Sequence, residues 1–358
     1  MKRAMVALVA LAGGLVPMHA AEPEQVDVYV SGTDGCHTYR IPALVATKKG
    51  TLLAFCEGRR KSRADHGDID LVLKRSTDGG RTWSPMQVVW DDGAHTIGNP
   101  CPVVDQQSGT IWLPFCRDND RVFLTQSTDD GATWAKPTEI TAAVKRKPWT
   151  WYATGPGHGI QLASGRLLVP CDHRDPTLPG ATHRKTTCRS HAIVSDDHGA
   201  TWAIAGISTP RTNECEAVQT ASGVLYLNMR NNFGRHRRAF AWSKDQGATW
   251  SEPKFHPELV SPVCQASVVR VGEGKANGGG FVFSNPASTR RERMTVRLST
   301  DGCKTWSGGK VLHAGPAAYS DLCVAADGAI VCLYERGGKH PYERITAARF
   351  PIEWLAEK

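Results

Sequence analysis

Short stretches in which apolar and polar residues alternate recur along the chain and predict β-strands. Ile69–Arg75 reads IDLVLKR and Met294–Leu298 reads MTVRL, so every second side chain is suited to one buried face. Long apolar patterns with a period of 3.6 residues are scarce after residue 25. The pattern therefore predicts a chain that is mostly β.

An eight-residue phrase of the form S-x-D-x-G-x-T-W recurs between these predicted strands. Its Asp and Gly favour a hairpin turn, and its Trp is large enough to pack between neighbouring strands. The starts of successive copies are separated by 51, 68, 48 and 56 residues, a period typical of propeller blades. The five copies are STDGGRTW at Ser76–Trp83, STDDGATW at Ser127–Trp134, SDDHGATW at Ser195–Trp202, SKDQGATW at Ser243–Trp250 and STDGCKTW at Ser299–Trp306.

The repeated phrase resembles the Asp box of sialidases and related β-propellers. In those proteins the box stabilises the outer rim of a blade, so it indicates the fold and leaves the chemistry to other residues. The resemblance implies an all-β fold, a six-bladed β-propeller of four-stranded antiparallel blades. We expect five blades to carry boxes and the sixth to be closed by strands from both ends of the chain.

The start of the chain has the features of a secretion signal. Lys2 and Arg3 precede the uncharged apolar stretch Ala4–Val16, and Ala20 and Ala21 follow. This predicts a signal peptide at residues 1–21 and one catalytic propeller domain at residues 22–358, exported to the periplasm or the medium. A membrane anchor is the alternative, but the apolar run is short for a bilayer span, so no stable membrane insertion is expected. We also expect a monomer.

Charge and cysteine content exclude several other classes of protein. The formal net charge is +8, but the basic residues are dispersed, whereas nucleic-acid binding favours a contiguous patch. The 11 cysteines include no C-x-x-C pair, so a zinc or redox motif is unsupported. Cys56 and Cys332 lie in apolar contexts and are expected to be buried thiols. No motif requires a metal ion or an organic cofactor, and none is predicted.

A second phrase, Tyr39-Arg40-Ile41-Pro42, precedes the series of boxes. Together they resemble the exo-α-sialidase family of bacterial and animal type, from about Arg40 to about Glu335. The resemblance implies that the partners are sialylated glycans of glycoproteins, glycolipids and mucins. It implies hydrolysis of terminal α-linked sialic acids.

The resemblance assigns arginines to the carboxylate of the sialic acid. Arg40, Arg230 in LNMRN and Arg291 match the three family arginines, with Arg290 and Arg293 as competitors for the third. Arginine suits this task because its guanidinium group offers two parallel donors to a carboxylate. Arg59 matches a further family arginine that contacts the substrate near its carboxylate and its 4-position.

The match also assigns the acid/base to Asp65, on a loop over the site. It would protonate the glycosidic oxygen and then activate water. Asp68 and Asp70 are alternatives, although strand alternation and the nearby box favour structural roles for both.

Tyr319 in AYSDL matches the family nucleophile, and Glu214 in NECE matches its base, with Glu216 as a competitor. A neutral phenol approaches a carboxylate-bearing anomeric centre with less repulsion than an Asp or Glu does, and sialidases are an exception to the usual carboxylate nucleophile of retaining glycosidases. A free phenol has a pKa of about 10, so a base is needed. Glu335 matches the residue that orients Arg40.

Two further phrases resemble the family with less defined roles. Asn99-Pro100-Cys101-Pro102 is expected at the floor of the site near the N-acyl group. His158, in the phrase from Gly155 to Leu162, is expected to be a structural hydrogen-bonding residue.

Three other functions stay open at this point. A trans-sialidase, including an intramolecular one, shares the same catalytic residues. A non-catalytic glycan-binding propeller would be expected to lack the Arg, Asp, Glu and Tyr set. An Asp-box glycosidase of neutral glucans would use two carboxylates without an arginine triad. The linkage preference and the form of the sialic acid do not follow from the sequence.

Overall fold

The computed structural model describes residues 22–272 and 280–357. The predicted signal peptide at residues 1–21 and most of the glycine-rich segment Gly272–Gly280 lie outside these ranges. The chain forms an all-β propeller built from four-stranded antiparallel blades. Strand β1 (Glu24–Val30) comes first in the sequence but pairs with the last strand.

Two of the sheets are regular four-stranded blades in which each strand pairs with the next one along the chain. The first contains β2 (Thr38–Ala46), β3 (Leu52–Arg59), β4 (Ile69–Ser76) and β5 (Gln87–Trp90). The other such sheet, the fourth blade along the chain, contains β16 (Thr212–Gln219), β17 (Leu225–Asn231), β18 (Arg237–Ser243) and β19 (Lys254–Val260).

In the second and third blades the innermost strand is split into two short pieces that pair with the same neighbour. Prolines stand in both gaps, and proline cannot donate to a β-ladder, so the ladder is interrupted there. The second blade contains β6 (Ile97–Gly98), β7 (Val103–Val104), β8 (Ile111–Arg117), β9 (Arg121–Ser127) and β10 (Thr138–Glu139). The third contains β11 (Trp151–Thr154), β12 (Ile160–Gln161), β13 (Leu167–Arg174), β14 (Cys188–Ser195) and β15 (Ala203–Ile207).

The remaining strands form one seven-stranded sheet because a single long strand belongs to two four-stranded units. The first part of β23 (Lys310–Val324) pairs with β22 (Glu292–Ser299), and its second part pairs with β24 (Ile330–Arg336). The sheet begins with β20 (Ser267–Val271) and β21 (Gly280–Pro286) and ends with β25 (Arg344–Phe350) and β1.

The antiparallel pairing of β1 with β25 joins the two ends of the described chain, with Glu24 opposite Arg349 and Val30 opposite Arg344. This confirms the prediction that strands from both ends close one blade.

The helices of the described chain are short: α1 (Thr141–Val144), α2 (Arg184–Thr187) and α3 (Ile352–Ala356). Within residues 22–272 and 280–357, no helix has the length and apolar character to span a membrane.

The apolar core lies between neighbouring sheets. Strands β2 and β3 are buried along nearly their whole length, because each of their faces packs on another sheet. The outer strand β5 is half-exposed, since only one of its faces is covered. Cys56 and Cys332 are buried thiols in these cores, as predicted.

The repeated phrases form compact turns on the rim of the sheets. In the first copy Asp78 Oδ1 accepts hydrogen bonds from Ser76 Oγ at 2.7 Å and from the Thr82 backbone N–H at 2.9 Å. The Trp83 side chain packs against the core between its own sheet and the neighbouring one. The other four copies repeat the Ser–Asp and Thr–Asp bonds. The box therefore stabilises the fold locally.

The fifth copy departs from the pattern at one position. Cys303 stands where the other copies have Gly, and its φ of 65° lies in the left-handed region that glycine adopts more readily. Its backbone N–H still donates to Ser299 Oγ at 3.0 Å, as the equivalent glycine does in the other copies. The hydrogen bonds of the box are kept with a residue that tolerates this backbone less well.

Candidate active site

A polar pocket of about 630 Å³ opens at the end of the propeller where the inner strands β2 and β16 begin. The other predicted residues lie on the inner strand β23 (Tyr319), at or near the ends of the second strands of three blades (Arg59, Arg230 and Glu335) and on loops (Asp65 and Arg291). Seven of the eight predicted site residues line this pocket: Arg40, Arg59, Asp65, Glu214, Arg230, Arg291 and Tyr319. The eighth, Glu335, lies directly behind Arg40 and is fully buried. The structure thus brings together residues spread over almost 300 positions of sequence.

Three of these residues lie on β-bulges of inner strands. The register of β2 shifts between Arg40 and Ala43, that of β16 between Thr212 and Cys215, and that of β23 between Ala317 and Ser320. These shifts hold Arg40, Glu214 and Tyr319, respectively. A bulge re-aims a side chain that a regular strand would point elsewhere, so local backbone irregularity helps to turn these groups into the pocket.

Arg40 is fixed by a buried carboxylate. Its Nε donates to Glu335 Oε1 at 3.1 Å and its Nη2 to Glu335 Oε2 at 3.4 Å. The same carboxylate accepts the backbone N–H groups of Ile41 at 2.9 Å and Tyr319 at 3.1 Å. Burial disfavours the charge of Arg40, but Glu335 together with Tyr342, Tyr319 and Asp65 outweighs it and raises the arginine pKa. Glu335 therefore links the first arginine to the strand that carries Tyr319.

Tyr319 forms a compact group with Glu214 and Arg230. Its hydroxyl donates a short hydrogen bond to Glu214 Oε1, and Arg230 Nη1 donates to the same hydroxyl at 2.9 Å and to Glu214 Oε2 at 2.7 Å. Burial raises the pKa of Tyr319 well above its ordinary value, and the Glu214 charge raises it further. The phenol is therefore neutral, with its proton directed at a carboxylate.

Asp65 lies over the mouth of the pocket on the loop between β3 and β4. Its side chain is 78% exposed, and its Oδ1 accepts from Arg59 Nη1 at 2.8 Å and from Arg40 Nη1 at 3.1 Å. Desolvation opposes its charge, but Arg59 and Arg40 lower the pKa of this carboxyl below its usual range. Asp65 is thus an ionised group in contact with two arginines.

The chain is similar to several known proteins. A BNR repeat-like domain matches residues 50–332. A sialidase of Bacteroides fragilis is 33% identical over 88% of this chain and 63% of its own length. An exo-alpha-sialidase of Aspergillus fumigatus is 33% identical over 90% of this chain and 86% of its own length. The solved structure of the Hadza microbial sialidase Hz136 has a TM-score of 0.82 and 32% identity, covering 92% of this chain and 68% of that one.

The chain belongs to the sialidase family. It is therefore grouped with glycoside hydrolases. It spans just under two thirds of the Bacteroides relative, which is the longer protein.

The competing arginines and aspartates point away from the pocket of this sialidase-family chain. Arg290 is 80% exposed and pairs with Glu292, and Arg293 is exposed on the surface. Asp68 pairs with Lys61, and buried Asp70 accepts from Arg60 Nε at 2.6 Å. Of these sets, only Arg291 and Asp65 line the pocket.

The competing glutamate, Glu216, belongs to a buried cluster outside the pocket. With His158 and Asp321 it forms a group whose potential metal ligands lie within 4.8 Å of one another. Desolvation lowers the pKa of His158, but Asp321 and Glu216 outweigh it and raise that pKa to about 9. Protonated His158 then pairs with Asp321 at 2.8 Å, with its Nδ1 as the donor. His158 is thus a hydrogen-bonding residue, as expected.

The structure adds two residues that the sequence did not single out. Glu57, which is buried, accepts from Arg59 Nη2 at 2.6 Å and from the Asn99 backbone N–H at 3.1 Å. It precedes Arg59 by two positions on β3 and so shares its face, a signal that strand periodicity offers. Tyr342 lines the pocket beside Arg40. It lies on a loop, for which no such periodicity exists.

The remaining lining of the pocket includes uncharged polar groups, an aromatic side chain and a further arginine. Asn99 lines the pocket there, in the phrase expected at its floor. Trp151 and Arg174 also line it, with the Arg174 guanidinium 4.8 Å from the Trp151 ring centroid.

Proposed function

We propose that this protein is an exo-α-sialidase that hydrolyses terminal α-linked sialic acids from glycoproteins, glycolipids and oligosaccharides. It acts with retention of configuration, and Tyr319 is the nucleophile. The observation that carries the proposal is the contact of Tyr319 with Glu214 and Arg230 at the base of a pocket that also presents Arg40 and Arg291. A site for a neutral sugar would have no use for three converging guanidinium groups.

The substrate carboxylate binds to Arg40, Arg230 and Arg291, which places the anomeric carbon next to Tyr319. Neutralisation of these arginines by the substrate removes part of the field that keeps Asp65 ionised, so the pKa of Asp65 rises when the pocket is occupied. Protonated Asp65 then gives its proton to the departing glycosidic oxygen.

The Tyr319 oxygen bonds to the anomeric carbon while its proton passes to Glu214. Water enters next, loses a proton to Asp65 and breaks the bond between tyrosine and sugar. Glu214 returns its proton to Tyr319, which restores the starting state. Two displacements at one carbon retain its configuration.

We propose six blades for the propeller. Support comes from the seven-stranded sheet, which divides at β23 into two four-stranded units beside the four other sheets. We further propose that the protein is exported after removal of residues 1–21 and acts as a monomer. The apolar stretch Ala4–Val16 after two basic residues supports the export.

The deciding experiment measures release of 4-methylumbelliferone from its α-sialoside by the wild type, Tyr319→Phe and Tyr226→Phe. Tyr226 is a matched control because its buried hydroxyl bonds to His256 at 2.9 Å, outside the pocket. We expect Tyr319→Phe to lose at least roughly 10³-fold in kcat, because the covalent route is removed, while Tyr226→Phe stays within threefold (about 0.6 kcal/mol) of wild type. A Tyr319→Phe rate near that of wild type would refute the nucleophile assignment.

Two product measurements sharpen the result. A 2,3-difluorosialic acid probe should add a sugar to the peptide that contains Tyr319, seen by mass spectrometry. NMR of the first product should show the α-anomer of free sialic acid. An anhydro sugar or a sialylated acceptor would instead indicate transfer, and no release by folded wild type would favour a binding propeller.

A further inference from the structure

Tyr342 lies on the loop between β24 and β25 and faces the pocket from the side of Arg40. Its carbonyl accepts from Ser31 Oγ at 2.9 Å, which ties the residue to the first strand of the chain. The loop itself is fastened by the carboxylate of Glu343. This carboxylate accepts the backbone N–H groups of Gly338 at 3.0 Å, Lys339 at 2.8 Å and His340 at 2.9 Å.

Tyr342 contacts two of the three arginines at once. The guanidinium carbon of Arg40 lies 4.0 Å from the centroid of its ring, closer than the 5.0 Å that separates it from the Tyr319 ring. Arg291 Nη1 donates a short hydrogen bond to the Tyr342 hydroxyl. One side chain therefore sets the position of two guanidinium groups through a cation–π contact and a hydrogen bond.

The three arginines differ in what holds them. Arg40 is held by the carboxylate of Glu335 and Arg230 by that of Glu214. Arg291 has no carboxylate within ion-pair distance among residues 22–272 and 280–357, and its hydrogen-bond partner there is the neutral hydroxyl of Tyr342. A neutral partner orients a cation without cancelling its charge. Arg291 thus keeps the largest uncompensated attraction for an incoming anion.

We propose that Tyr342 is a positioning residue for the substrate carboxylate, which holds Arg291 through its hydroxyl and Arg40 through its ring. This inference rests on the proposed function, because it concerns the same ligand carboxylate. This role differs from that of Glu214 and Glu335. Tyr342 orients an arginine without neutralising it, so the charge of that arginine stays available to the ligand carboxylate.

The test is a double-mutant cycle read by calorimetric binding of 2-deoxy-2,3-didehydro-N-acetylneuraminic acid. The four proteins are the wild type, Tyr342→Phe, Arg291→Ala and the double variant. Loss of a hydrogen bond to a charged group should make Tyr342→Phe bind about tenfold more weakly than wild type. In the Arg291→Ala background the same change should alter the dissociation constant less than about twofold, because the hydroxyl then has no arginine to hold.

Two results would overturn the proposal. One is an equal loss of affinity in both backgrounds, which would mean that Tyr342 acts independently of Arg291. The other is unchanged affinity in Tyr342→Phe. Tyr226→Phe serves as the matched control and should bind as wild type does. Thermal midpoints of all five proteins identify any loss that comes from unfolding.

Kinetics give a second readout. Tyr342→Phe should raise KM for the α-sialoside about tenfold and change kcat less than about threefold, since carboxylate binding is shared by ground and transition states. A fall in kcat at unchanged KM would contradict a positioning role. Wild type that binds the analogue but releases no sialic acid would refute the proposed function and still leave the binding cycle to decide the role of Tyr342.

Discussion

The Asp boxes and the pocket are both held by side-chain hydrogen bonds to carboxylates, but these bonds span very different distances along the chain. In a box, Asp78 bonds to Ser76 and Thr82, which are at most four residues away, and the contacts recur almost unchanged in all five copies. In the pocket, Arg40 bonds to Glu335 across 295 positions and Tyr319 to Glu214 across 105. Local networks stabilise each blade separately, whereas the pocket exists only after the blades have assembled.

The two regions also differ in how charge is balanced. The box carboxylates accept several hydrogen bonds each, mostly from neutral groups, which lower the pKa of Asp197 to about 2. The pocket instead gathers arginines whose charges are only partly cancelled by Glu335, Glu214 and Asp65. We infer that the box serves stability and the pocket serves binding of an anion. The following predictions test that division, from the largest expected effect to the smallest.

Asp65→Ala should lower kcat to an extent that depends on the leaving group of the substrate. With a sialyl-oligosaccharide, whose leaving alcohol needs a proton, we expect kcat to fall roughly 10³-fold, a typical contribution of a general acid. With the 4-methylumbelliferyl sialoside the loss should be about tenfold, because that phenol leaves readily without a proton. Parallel kcat measurements on both substrates check this. Equal losses on the two substrates would show that Asp65 is not the acid.

Glu335→Gln should hold Arg40 less firmly, because the substitution removes the charge of its partner and keeps the shape of that side chain. Buried Arg40 would lose the charged partner that orients its guanidinium group, so kcat/KM should fall roughly 100-fold, equivalent to about 2.7 kcal/mol. Glu139→Gln is the matched control, because Glu139 pairs with Arg121 at 3.0 Å and 2.7 Å on the surface of another blade. If both variants lose the same activity, the pocket-specific role of Glu335 is wrong.

Asp78→Ala should lower the stability and leave the activity unchanged, which is the opposite of what we expect for the pocket variants. Its carboxylate accepts several hydrogen bonds that hold the turn, so we expect the thermal midpoint to fall by at least about 2 °C with kcat/KM unchanged. Asp91→Ala, which removes a carboxylate bonded to the Gly93 N–H, should shift the midpoint less. Lost turnover at an unchanged midpoint would contradict a purely structural box.

Lowering the pH should gradually remove the stability that the Asp197 carboxylate contributes to its box. Hydrogen bonds from Thr201 and Ser195 lower the folded-state pKa of Asp197 to about 2, below the value of an unfolded aspartate at about 3.9. The resulting stability is therefore present above the unfolded pKa and disappears as pH falls from about 4 to 2. Thermal midpoints of wild type and Asp197→Asn should differ most at neutral pH and converge over this range. A constant difference would mean that the charge is not responsible.

The local features of the molecule were largely predictable from sequence. Alternation identified β4 and β22, the boxes identified the propeller, and the closing pair β1 and β25 followed from the blade that lacked a box. Motif context also selected Arg291 over Arg290 and Arg293, and Asp65 over Asp68 and Asp70, as the residues that line the pocket. Each of these predictions starts from a short pattern or motif that can be read in the sequence, even where the contact that it implies, such as the pairing of β1 with β25, is distant along the chain.

By itself, the sequence predicted the all-β repeat and its turns, because these depend on short-range periodicity, and its resemblance to a known family supplied the candidate site residues. Only the tertiary structure decided how those residues meet. The bulges that hold Arg40, Glu214 and Tyr319, the burial of Glu57 behind Arg59, and the approach of Tyr342 to Arg291 all arise from packing between distant strands. Backbone register shifts and loop positions are set by neighbours far along the chain, so no local pattern encodes them.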